Sequence, residues 1–195
     1  MLFRSRSTSR GLACRATLIS APSRAVLASA LMPATLRDRY ARVIATLDGL
    51  IAERFAEVGE VRHLRLHGDC HGGNARIAED GPRAGQAIFF DFDDGGPGYL
   101  AYDLAVYLWA NAFLQRERVA MWHALIDGYR SIRSITATDF DALHLFVPIR
   151  HIWLMGEYAG RIAEWGSEAV PVEWLAKEVD LLQAWEDEKL SPGLL

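Results

Sequence analysis

The sequence predicts an α+β fold that is mostly helical, with a short β-hairpin set among the helices. Three observations predict it. Apolar residues recur at three- and four-residue spacings over much of the chain beyond Leu36, as helical faces require. Two short runs, near 75–78 and at "AIFFDF" (87–92), flank the turn-forming stretch "EDGPRAG" and read as a hairpin. The stretch "LHGDCHGGN", 66–74, crowds His67, Asp69, His71 and Asn74 among glycines, a composition suited to an irregular loop.

At 195 residues the chain is long enough for one domain with a sizeable core, or for part of a larger enzyme. Its net charge of -4 gives no reason to expect a nucleic-acid partner. No apolar run reaches the roughly 18 residues of a membrane span. Cys14 and Cys70 are too few for a disulfide framework and read as reduced thiols of a cytoplasmic protein.

Residues 1–35 carry arginines, serines and alanines, with no acidic residue before Asp38. They read as a leader, or as a start assigned outside the true frame, without fixed structure. A domain over 36–190 follows, then a tail at 191–195. Residues 36–56 place Leu36, Tyr40, Val43, Ile44, Leu47, Leu50, Ile51 and Phe55 on one helical face. "VRHLRLH", 61–67, alternates as a short strand that delivers the loop at its end. The second arm of the hairpin is nearly all apolar, which predicts burial. Residues 99–114 form a helix too apolar to face solvent. Further helices are expected near 117–132, 139–165 and 172–189, with Pro148 dividing "ATDFDALHLF" from "PIRHIWLMGEYAGRIAEW".

His67, Asp69 and Asn74 have the spacing H-x-D-x-x-x-x-N of a protein-kinase catalytic loop. There the aspartate accepts the proton of a substrate hydroxyl, and the asparagine offers its amide oxygen to magnesium. A second carboxylate is needed on the next strand, and Asp91 stands there, in "DFD" where a protein kinase has D-F-G. Singly, each of these residues could be a turn former or a hydrogen-bonded core group. In this order they are hard to obtain as turns.

The pattern H-G-D-x-H-x-x-N, a hairpin, an apolar strand ending in Asp and then "YDLA" resembles the aminoglycoside phosphotransferase family of kinase-like enzymes. Within it, "HGDCHGGN" followed by "FFDFDD" is most similar to the bacterial stress-response serine/threonine kinases. The resemblance implies the larger, mostly helical C-terminal lobe of a protein-kinase-like fold. It also implies a kinase that uses ATP and Mg2+ to phosphorylate a hydroxyl of a protein Ser/Thr or of a small molecule. By motif, Asp69 resembles the catalytic base, and Asn74 and Asp91 the magnesium ligands. His67 resembles the loop-fixing histidine and Asp103 the buried aspartate that braces the loop. His71 supports the loop, and Asp93 and Asp94 are helpers near metal or substrate.

The chain departs from the family in one respect. Its lysines are Lys177 and Lys189, both downstream of the loop, and no glycine-rich strand pair precedes it. The phosphate-binding lysine of a small lobe is therefore not found here. The expectation is a partial chain whose small lobe is missing, with weak nucleotide binding and no turnover alone. A noncatalytic, pseudokinase-like binding module is the alternative. "GDCHGG" also matches one block of the metallophosphoesterases, but His123, His144 and His151 fall on predicted helices without the further blocks that a two-metal centre needs.

Overall fold

The computed structural model describes residues 16–58, 62–110 and 119–187. Among these, 62–110 and 119–147 form one compact unit, and 16–58 with 148–187 form a second.

The first unit carries the four strands found among the described residues. β1 (His63–Leu66) pairs antiparallel with β4 (Gly96–Tyr99), with His63 opposite Tyr99 and Leu66 opposite Gly96. β2 (Ala75–Ile77) pairs with β3 (Ala87–Phe89) as the expected hairpin. β4 was not legible as a strand: "GPGY" carries the residues that punctuate turns, and pairing with β1 overrides that propensity. The helix α3 (Leu100–Leu108) follows β4 directly and is buried along most of its length, as its composition predicts. The rest of the helix expected to residue 114 runs into 111–118, outside the described residues. α4 (Val119–Ile132) turns Trp122 and Ile126 inward.

The short helix α5 (Ala137–Asp141) starts with a capping box between Thr136 and Asp139. Asp139 is fully buried and also receives the Arg62 backbone N–H at 2.9 Å and the Arg62 Nε at 2.6 Å. The same guanidinium donates to the Ser134 carbonyl. One carboxylate therefore fastens the entry of β1 to the start of α5. Burial pulls the Asp139 carboxyl upward, but hydrogen bonds from Thr136 and Arg62 outweigh it and hold the group below the ordinary carboxylate range.

α6 (Leu143–Gly160) contains Pro148 in its interior, so the predicted break lies at Ala142 instead. Proline removes one backbone bond in a helix. Here Phe146, Val147, Ile149 and Ile152 on either side are all buried, and packing holds the helix together. The boundary between the two units falls within α6, at Val147–Pro148.

In the second unit, α2 (Ala34–Val58) buries Tyr40, Val43, Ile44, Leu47 and Ile51, the core of the face read from the sequence. It packs on α8 (Val172–Asp187), whose Leu175, Val179, Leu182 and Trp185 are buried. Arg39 and Asp180 form an ion pair at 2.5 Å between them. α7 (Ile162–Trp165) is a single turn after α6.

Residues 16–28 are not without fixed structure. They form a π-helical turn, Ala16–Ser20, and α1 (Ala21–Ala28), with Leu18, Ile19 and Val26 buried. A Cβ on Gly156 of α6 would lie 2.2 Å from the Cβ of Pro22, so α1 sits where only a glycine leaves room. Arginine and serine content hid an apolar stripe that three buried side chains are enough to anchor. Residues 1–15 and 191–195 lie outside the described residues.

Candidate active site

β1 releases the chain into the loop 67–74. Gly68 has a φ of +88°, and a Cβ there would lie 2.1 Å from the Asp94 carbonyl oxygen. Only glycine allows both. This approach sets the loop against the turn at 93–95, whose Gly95 N–H donates to the Phe92 carbonyl at 2.8 Å.

Asp103, in the first turn of α3, accepts the His67 N–H at 2.8 Å on one oxygen and the Gly68 N–H at 2.9 Å on the other. Burial pushes its carboxyl above the ordinary range, while those two bonds pull the other way. Cys70 is a free thiol pushed up to about 12, first by burial and then by the charges of Asp103 and Asp69.

The His67 ring joins two strands of the motif. Its Nε2 lies 2.9 Å from the Phe90 carbonyl oxygen, which places the proton on Nε2, and its Nδ1 accepts the Asp69 N–H at 3.4 Å. Phe92 stacks on the ring at 4.3 Å and Phe89 meets it edge-on at 6.1 Å. His71 adopts the same tautomer. Its Nδ1 accepts the Gly73 N–H at 2.9 Å, capping the 3-10 turn Gly72–Asn74, and its Nε2 lies 3.5 Å from Asp69 Oδ2.

Asn74 is buried, and its amide nitrogen donates to Asp69 twice, to the carbonyl at 3.0 Å and to Oδ2 at 3.1 Å. Among the described residues nothing donates to its oxygen Oδ1. The Asn74 carbonyl accepts the Phe90 N–H at 3.1 Å, which extends the β2–β3 ladder by one step and sets Asp91 one residue beyond it. Asp91 has a φ of 63°, a left-handed conformation found at no other non-glycine residue among those described. Such strain in a side-chain-bearing residue collects at functional positions.

The structure thus brings His67, Asp69, His71, Asn74 and Asp103 into one hydrogen-bonded network, with Asp91 joined through Phe90. Asp94 takes part through its backbone. Asp93 is exposed, and among the described residues its side chain makes no hydrogen bond. Two contributors were missed in the sequence, the Phe90 carbonyl and the Phe92 ring. The signal was their interleaving with Asp91 in "FFDFDD", where each aromatic neighbours a residue of the site. The hairpin's second arm is not buried: Phe89 is 40% and Phe92 57% exposed. Among the described residues β2 and β3 form a sheet of their own, so no third strand covers them.

The profile of the Phosphotransferase enzyme family matches residues 10–135, more than half of the chain. The chain belongs to that family. Among curated relatives of the chain, an uncharacterized protein of Deinococcus radiodurans is 39% identical over 124 residues, 62% of this chain and 35% of that protein. Stress response kinase A of Salmonella paratyphi A is 30% identical over 152 residues, 77% of this chain and 42% of its own length. Its namesake in Escherichia coli K12 is 28% identical over 150 residues. The chain therefore spans about two fifths or less of the length of these relatives. Among solved structures, a microcompartment-associated aminopropanol kinase shares the fold with a TM-score of 0.61 at 21% identity, over 84% of this chain and 50% of that one. The chain thus has the helix-rich, small-sheet architecture expected of the larger lobe of a kinase-like fold.

Among the described residues no group of three or more His, Cys, Asp or Glu is arranged to hold a metal, and no helix is long and apolar enough to cross a membrane.

Proposed function

We propose that the chain carries the phosphoacceptor side of an ATP- and magnesium-dependent kinase that phosphorylates a hydroxyl of a protein Ser/Thr or of a small molecule. The observation that carries this is the amide of Asn74. Both bonds to Asp69 engage its nitrogen, so its oxygen is the atom left to a cation, and Asp91 supplies a second oxygen one ladder step away. Two hard oxygen donors with the remaining positions open suit magnesium completed by phosphate and water, and do not suit a closed zinc site. The ion, when bound, offsets the charge on the transferring phosphate.

The residues divide the remaining work. Asp69 takes the proton of the acceptor hydroxyl. Asn74 donates to Asp69 Oδ2, and the His71 Nε2 lies 3.5 Å from the same oxygen, so both side chains orient the carboxylate. His67 keeps the base and the carbonyl before Asp91 in fixed register, which matters because most of the acceleration in phosphoryl transfer comes from positioning. The Salmonella typhimurium relative named a serine/threonine protein kinase favours a protein acceptor, and the aminopropanol kinase an amino alcohol. The kinase-named relatives do not favour the noncatalytic alternative.

The test is phosphate transfer from γ-labelled ATP with magnesium. It uses the chain, and the chain joined to the preceding part of the Salmonella relative. In whichever form turns over, Asp69→Asn should lower kcat by roughly 100- to 10,000-fold and leave nucleotide affinity nearly unchanged. Transfer that survives Asp69→Asn overturns the assignment.

A further inference from the structure

Behind the loop, the first unit holds a half-open cavity of about 340 Å³ that the proposed chemistry does not use. Its wall includes His67, Cys70 and Asp103, the rear of the loop, but not Asp69, Asn74 or Asp91. A ligand there would not compete with the acceptor hydroxyl. Five leucines, two each from β1 and α3 and Leu125 from α4, supply the apolar lining together with Phe89 and Phe92. Such walls, at the lower end of the usual volume of ligand pockets, select an apolar body.

The polar lining is one-sided. Arg65 and Arg133 both border the cavity, and among the described residues neither guanidinium has an ion pair or a hydrogen bond. Tyr129, one turn before Arg133 on α4, adds a hydroxyl, also without a partner among the described residues. The one carboxylate in the lining, Asp103, has each oxygen engaged by a backbone N–H. The Cys70 thiol stays neutral and brings no charge. Two unpaired guanidinium groups beside a leucine-lined space recognise an anion carried on an apolar body.

We propose that this cavity binds a small amphiphile, an apolar chain or ring ended by a single carboxylate or phosphate, with the apolar part among the leucines and the head at Arg65 and Arg133. A second charge on the ligand would sit against leucine and be left unpaired, so singly headed molecules are selected.

Calorimetric titration of the 195-residue chain with octanoate, octyl phosphate and octanol tests this. At least one of the two anions should bind saturably at one site and at least tenfold more tightly than octanol, and the tighter of the two identifies the head group. Shortening that anion by one methylene should weaken it about fourfold. The exposed double variant Arg65→Gln/Arg133→Gln should erase the preference over octanol while leaving octanol binding unchanged. Leu125→Trp, which fills the space, should abolish binding of all three. Ile77→Ser, at a hairpin residue that does not line the cavity, should change nothing. Several outcomes overturn the proposal: no saturable binding, an anion no tighter than octanol, binding that survives Leu125→Trp, or binding lost in Ile77→Ser. Should Leu125→Trp fail to fold by circular dichroism, the arginine pair decides alone.

Discussion

Asp103 and Asp69 are both aspartates of one network, yet the structure gives them opposite dependences. Asp103→Ala leaves the His67 and Gly68 N–H groups without their acceptor, and should cost about 1–3 kcal/mol in urea unfolding. Asp69→Ala, at a partly buried side chain, should cost much less. Equal, negligible losses would remove the bracing role of Asp103. Asp91 makes the reverse case. Its left-handed φ of 63° is unfavourable for any residue with a Cβ, so Asp91→Gly should unfold at equal or higher denaturant, by up to about 1 kcal/mol, while forfeiting its carboxylate. A clear loss of stability in that variant would mean that Asp91 holds the loop instead of being held by it. Cys70, despite lying in the loop, should resist alkylation at pH 8 in the folded chain, because a thiol pushed up to about 12 presents almost no thiolate. At this scale the gathering of His67, Asp69 and Asn74 was legible from their spacing. The role of Phe90 was not, because a backbone carbonyl has no residue signature.

The elements were legible where one face is buried and opaque where packing overrides propensity. The helix over 36–56 and the hairpin arms stand where their periodicities put them. β4, the continuous α6 through Pro148 and the helix over Ala21–Ala28 were not visible, since each depends on a partner distant in sequence. The contact between α1 and α6 gives a direct check. Gly156→Ala drives a methyl into Pro22 and should destabilise the chain by about 1–3 kcal/mol in thermal or urea melts, more than its gain in helix propensity. The tie between β1 and α5 gives a pH signature. Asp139 titrates below its unfolded value of 3.8, so its ionised form contributes stability that is fully present above that pH and is lost as pH falls through the lower folded value. Asp139→Asn should therefore be less stable at pH 7 by roughly 1.5–3 kcal/mol, and its stability should fall less steeply than the parent's between pH 4 and pH 2. Parallel profiles would show that the carboxylate does not carry the tie.

For the whole molecule, a net charge of -4 on 195 residues gives only modest mutual repulsion between copies. Against it stands the hairpin, where Ile77 is 63%, Phe89 40% and Phe92 57% exposed, all in the first unit. Ile77 and Phe89 lie on the same side of the ladder, two registers apart, and Phe92 flanks them across the His67 ring. Large apolar groups gathered in this way are a liability in concentrated solution. Sulfate strengthens apolar association by being excluded from protein surfaces. The chain should accordingly salt out at a lower ammonium sulfate concentration than its Ile77→Ser/Phe89→Ser variant, and elute later from a phenyl column. A chemist purifying it would meet the hairpin first as a solubility limit, before any assay reached the loop beside it.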